Sequence, residues 1–250
     1  MTEKIDKYKV QAALVRSFFD AFSHGVIESQ MEDRNEKTTP QSVKKLMLEH
    51  YEHIAPAFFD TMFFPLAAMN YKYEDIAALA REAQQRGDDM MALVRTACGD
   101  EAYYNAMVEE YKRNFSMLLA GRYLSNADHL EGYVRKAEEE TEASVDSDRA
   151  IELTVRVVMF AYVRGLRQTG EGARFDRSAH LRQVHPLRGA TLFRLMLDAM
   201  NILLLDEAVD FADAEAADLA SLFLKVCQTQ HNFTVMTNEM DRTYSELMKE

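Results

Sequence analysis

Four prolines and nine glycines in 250 residues leave the backbone few obligatory turns, and tryptophan is absent altogether. So few chain-breakers argue against a sandwich or barrel, which needs turn residues every eight to twelve positions. No Asn-Gly or Asp-Gly pair occurs, and no alternating apolar–polar run of useful length appears. The two cysteines, Cys98 and Cys227, lie far apart in amphipathic segments, which excludes a disulfide scaffold and reads as buried free thiols in a reducing compartment. The first residues, MTEKIDKYKV, are charged and lack the apolar stretch of a secretory signal. No run approaches the ~18 apolar residues that span a bilayer. The greasiest segments are interrupted by Arg156, Arg194, Asp198 and Asn201, so a cytoplasmic protein with no membrane contact is expected.

Catalytic signatures are missing as well. There is no Gly-x-Ser-x-Gly elbow, no phosphate-binding glycine loop, no His-Glu-x-x-His and no dinucleotide fingerprint. Twenty-nine basic residues against 41 acidic ones give a net charge of -12, which argues against broad nucleic-acid binding.

What is abundant is helical periodicity. Tyr8, Ala12, Val15, Phe19, Phe22 and Val26 step by three or four residues, and Tyr104, Met107, Val108, Tyr111, Phe115 and Leu118 repeat the helical pattern. Such spacing predicts an all-α protein, a multi-helix bundle of about nine or ten helices in one domain covering 1–250. The predicted helices cover roughly 4–31, 40–55, 57–70, 72–86, 88–98, a segment ending at Gly121, 126–145, 148–169, 190–208, and Asp213 to near the C-terminus. Thr39-Pro40 reads as a helix start, Pro56 and Pro65 as kinks or breaks, and Gly87 and Gly99 as left-handed C-caps. No internal repeat at a solenoid period is visible. Fifteen methionines suggest a pliable interior.

Two segments, Leu153–Val163 and Leu192–Leu205, are apolar nearly all round. Helices of that kind sit at the centre of a core or are shared across a two-fold interface, and the second alternative predicts a homodimer.

Charge is concentrated in one place. Seven of the eighteen arginines lie between Arg164 and Arg194, without a lysine, opposed only by Glu171 and Asp176. Arg164 and Arg167 suit the last turn of a helix, where cations complement the dipole. Arg174, Arg177, Arg182, His185 and Arg188 fall in a basic connector, 170–189, where forked guanidinium groups could bind an anion or an acidic partner. The alternative is a solvated loop lying over the acidic run Glu138–Glu142.

Two further sets carry chemistry. Glu49, His50 and His53 would share a helical face and could hold a metal or heme, although no Glu-x-x-His pair of the di-iron kind is present. Phe58, Phe59, Met62 and Phe63 could meet Phe18, Phe19 and Phe22 and line a pocket for an apolar ligand, or could simply be core.

In general arrangement this pattern is similar to the effector-binding halves of TetR-type repressors, which also pair through C-terminal helices. The N-terminal helix-turn-helix of such repressors is not recognisable, because the first helix is followed by Glu28-Ser-Gln-Met-Glu-Asp-Arg-Asn-Glu-Lys-Thr-Thr-Pro40 with no compact recognition helix. The sequence therefore leads to a non-catalytic, regulatory or small-ligand-binding helical protein, with an apolar or anionic ligand and no cofactor indicated. A helical metal- or heme-binding enzyme, and an adaptor or chaperone docking an acidic partner through the arginine segment, are the alternatives.

Overall fold

The computed structural model describes residues 3–34, 40–120, 143–167, 190–205 and 219–249. Among these, ten helices and one pair of three-residue strands make up the architecture. In chain order they are β1 (Lys4–Asp6), α1 (Lys7–Arg34), α2 (Pro40–Glu49), α3 (Tyr51–Asn70), α4 (Tyr73–Arg86), α5 (Met90–Ala97), α6 (Glu101–Leu119), β2 (Ser144–Asp146), α7 (Ser147–Arg167), α8 (Ala190–Leu204), α9 (Leu219–Cys227) and α10 (Gln230–Leu247). The all-α reading holds. No described helix is long and apolar enough to cross a membrane.

The centre of the bundle is the pair α1 and α7, which pack on each other more extensively than any other two elements. Glycine permits that closeness. A Cβ on Gly25 would lie 2.1 Å from the Tyr162 carbonyl oxygen, and one on Gly165 would lie 2.1 Å from that of Phe22. The two backbones therefore touch directly. Around this crossing α1 also meets α6 and α8, while α7 meets α3, α8 and α10.

One contiguous apolar cluster joins the described helices. On α7, Leu153, Val155, Val158, Ala161 and Tyr162 are buried, and on α8 Leu192, Met196, Met200 and Leu203 are buried. Most apolar side chains of both helices are buried in the single chain, with Phe160, Phe193 and Ile202 partly so. Phe58 sits against Phe18 at 5.1 Å in a T-shaped contact and against Tyr111 at 4.7 Å, so the expected meeting of the α3 aromatics with α1 is observed.

Several boundaries differ from the sequence expectation. Residues 4–6 form β1 rather than the start of the first helix, and they pair antiparallel with Ser144–Asp146, so a small sheet exists where none was expected. Each strand is only three residues long, too short to show alternation. The break expected at Pro56 falls six residues earlier, at His50, which places Pro56 in the second turn of α3; Pro65 lies inside the same helix without ending it. The final helix is two, α9 and α10, divided at Gln228, whose φ is +62°. Gly87 (φ +74°) and Gly99 (φ +80°) take the left-handed conformation that their positions predicted.

The helix crossing yields a sharp test. Gly→Ala inside a helix ordinarily gains up to about 1 kcal/mol from propensity alone. At Gly165 the added methyl meets backbone that cannot rotate away, and overpacking costs about 1–3 kcal/mol or more. We expect Gly165→Ala and Gly25→Ala each to lower the urea midpoint, with a net loss of about 2 kcal/mol; an unchanged or raised midpoint would show that the helices do not touch there.

Candidate functional site

Among the described residues, a cavity with opposed walls lies between α3 and α7. From α3 it takes Asp60, Thr61, Phe64 and Pro65, and from α7 Arg156, Val157, Phe160 and Arg164, enclosing about 150 Å³. The α7 residues Arg156, Phe160 and Arg164 recur every four positions, which aligns them on one stripe. A space of this size accommodates a single aromatic ring, since an engineered cavity of similar volume in another protein binds benzene.

Arg156 forms the inner wall. Its guanidinium carbon stands 5.5 Å from the centre of the Phe64 ring and 5.4 Å from that of Phe160, so the cation lies against both ring faces. Behind it, Nη1 donates to Glu239 Oε1 at 3.3 Å and Nη2 to Glu246 Oε2 at 2.9 Å. Glu239 is 3% exposed and is held further by Arg242 Nη2 at 2.6 Å and by the Thr243 hydroxyl at 3.1 Å. Burial disfavours the Arg156 charge, but the Glu246 and Glu239 carboxylates more than offset it and leave its pKa above the ordinary value. The group is therefore a fixed cation at every accessible pH.

At the other end Arg164 pairs through Nη2 with Asp60. Its Nε is buried and has no hydrogen-bond partner. A buried N–H left unsatisfied is costly unless an acceptor arrives. The cleft thus combines ring-flanked apolar walls with one fixed cation and a second guanidinium paired with Asp60.

Of the residues singled out by sequence, Arg164 lines this cleft, and Arg167 is exposed in the last turn of α7. Arg174, Arg177, Arg182, His185 and Arg188, with the connector 170–189 and the acidic run 138–142, lie outside the described residues. Phe58 and Met62 are fully buried, Phe59 and Phe63 partly so. None of these four is among the cavity residues of α3, which are Asp60, Thr61, Phe64 and Pro65. Glu49, His50 and His53 do not share one continuous helix, because the chain breaks at His50; the two imidazole rings are 6.2 Å apart. Among the described residues no three His, Cys, Asp or Glu side chains come together as a metal site.

Sequence reasoning included Phe64 in its aromatic block but did not single out Asp60, Phe160 or Arg156 as a site. The available signal was the arginine at 156 inside an otherwise apolar helix.

The thiols are not poised as nucleophiles. Burial raises both Cys98 and Cys227 from 9.0 to about 12, so the thiolate is scarce at neutral pH. A raised folded pKa contributes stability that is complete below the unfolded value and is lost as pH climbs toward the folded one. Stability is therefore expected to fall between about pH 9 and pH 12, and iodoacetamide at pH 8 is expected to label neither cysteine until urea unfolds the chain; rapid native labelling, read by mass spectrometry, would contradict this.

The two arginines should also separate in their effect on stability. Arg156→Met removes charged hydrogen bonds from the buried Glu239 and is expected to cost about 2 kcal/mol in urea unfolding. Arg164→Met loses a pair whose members are 31% and 42% exposed and is expected to cost under about 1 kcal/mol. Equal losses would mean that the ion cluster does not anchor Arg156. Comparison with protein-family models, curated proteins and solved structures finds no match to this chain, so the chemistry of the cleft is what bears on function.

Proposed function

We propose that this protein is a non-catalytic, regulatory binder of a small amphipathic anion, held in the cleft between α3 and α7. The observation that carries this reading is a ring-sized cavity walled by Phe64 and Phe160 with the guanidinium groups of Arg156 and Arg164 in its lining. A carboxylate or comparable anion would pair with the Arg164 guanidinium, with its apolar body between the two rings. Asp60 pairs with Nη2 of the same guanidinium, and the anion would compete with it or share it.

Binding rather than catalysis is favoured by the lining itself. The Thr61 hydroxyl donates to the Ala57 carbonyl at 2.7 Å, and no side chain of the cleft pairs a nucleophile with a base. The position of α7 supports a regulatory reading. The helix that lines the cleft also makes the glycine crossing with α1, so a ligand wedged against α3 bears directly on the central packing of the bundle. Any such effect is limited to the ligand's differential affinity for two arrangements of those helices.

Benzoate is a suitable probe, with benzylamine as the control of opposite charge. Methyl NMR of Val157 and Thr61 should report benzoate binding with a dissociation constant on the order of 1 mM, as expected for so few atoms. Arg164→Met should weaken it about tenfold, the worth of one charge-assisted hydrogen bond. Equal binding of benzylamine, or no methyl shift with benzoate, would overturn the proposal.

A further inference from the structure

The structure contains a two-fold relation that the sequence reading missed. In the small sheet Ile5 pairs with Val145, Lys4 with Asp146 and Asp6 with Ser144, a register centred on a 140-residue offset. The flanking bonds are reciprocal: the Lys7 amide donates to the Ala143 carbonyl at 3.0 Å, and the Ser147 amide donates to the Glu3 carbonyl at 2.9 Å. At the helix crossing, Gly25 meets Tyr162 and Leu166 while Gly165 meets Phe22 and Val26, the same offset again.

Residue identities follow that offset. Asp6, Val15, Arg16, Ala21 and Gly25 correspond to Asp146, Val155, Arg156, Ala161 and Gly165. Farther along, at an offset of 129, Leu93, Cys98, Met107, Glu110, Arg113, Ser116 and Leu118 correspond to Leu222, Cys227, Met236, Glu239, Arg242, Ser245 and Leu247. Local geometry agrees at the same positions. Gly99 and Gln228 both take positive φ, at +80° and +62°. Asp100 and Thr229 then cap α6 and α10 identically, accepting from the amides of Tyr103 and Asn232. Arg113 pairs with Glu110 at 2.9 Å, and Arg242 with Glu239 at 2.6 Å.

Packing is paired too. The contact of α1 with α6 is matched by α7 with α10, that of α3 with α5 by α8 with α9, and that of α3 with α7 by α8 with α1. Chance similarity of two helices would reproduce neither the caps nor this network.

We infer that the chain is two copies of one helical unit joined head to tail, related by an axis through the Ile5–Val145 pair and the Gly25–Gly165 crossing. The two-fold surface that a homodimer would build between subunits is thus already filled by the chain's own second unit, and the protein acts as one chain. The α3–α7 cleft is a seam site between the units. At its counterpart between α8 and α1, Arg16, Ser17 and Asp20 stand where Arg156, Val157 and Phe160 line the cleft, and they are 3%, 2% and 5% exposed. The two seams therefore differ in chemistry, with an acid in place of a ring.

The axis makes a connectivity prediction that needs no ligand. Positions 120 and 143, which residues 121–142 connect, correspond to 249 and 3, so the same 22-residue segment should join Lys249 to Glu3 equally well. A circular permutant running 143–249, a copy of 121–142, then 3–120 should have the helical circular dichroism of the parent and melt within a few degrees of it. Light scattering should give 28.7 kDa, the mass of one chain, for both proteins. In a second experiment a protease site is inserted within 121–142 of the full chain and cut after purification. The two fragments should stay together at the intact mass at micromolar concentration. An unfolded permutant together with separating fragments, or a parent with the mass of two chains, would overturn the inference. None of these outcomes depends on benzoate, so failure of the ligand reading and failure of this one are distinguishable.

Discussion

The contact between Gly25 and Gly165 is the constraint on which the rest of this bundle depends. Helices carrying ordinary side chains stand 8–10 Å apart. Here the absence of two Cβ atoms brings backbone against backbone, and the side chains on either side of the crossing then interlock at short range. Helix α7 is held so closely to α1 that its remaining faces must be covered by α3, α8 and α10. That enclosure explains why Leu153–Val163 can be apolar nearly all round.

Enclosure creates an electrostatic problem, and its solution shapes the cleft. Arg156 sits on the enclosed helix, and a buried cation without partners is costly. Glu239 and Glu246 on α10 neutralise it from behind, and Phe64 and Phe160 cover it from the front. The guanidinium is thereby held rigidly as part of the wall. One helical turn away from Phe160, Arg164 pairs through Nη2 with Asp60, and both residues line the same cleft. The equivalent positions on α1 are Arg16, Asp20 and His24, and there a buried acid replaces the ring of Phe160. Divergence between the two units thus makes the two seams chemically different.

How far the sequence could be read varied with the range of the interaction. Periodicities such as Tyr8 to Val26 and Tyr104 to Leu118 gave the helical class, because burial of one face repeats at 3.6 residues within a single segment. Gly87 and Gly99 were legible as caps because left-handed backbone is a local demand. The break at His50 was not, since the visible signal was Pro56 and a proline is tolerated near the start of a new helix. Strands of three residues left no alternation to detect. The aromatic block of α3 was legible from its spacing; Phe58 turns toward Phe18 and Tyr111, while Phe64 lies at the cavity with Asp60.

The repeat escaped notice for a related reason. Its period is half the chain, its identities are sparse, and the offset changes from 140 to 129 between its two best stretches. By itself the sequence determined the helical class, most helix ends, the thiols' burial and the apolar character of α7 and α8, all properties fixed by composition and by neighbours within a few turns. Only the tertiary structure decided that Gly25 faces Gly165, that Arg156 is enclosed by two rings and two carboxylates, and that one chain contains its own two-fold partner. Those features join residues some 80 to 140 positions apart, and no local pattern encodes which distant surface a side chain will meet.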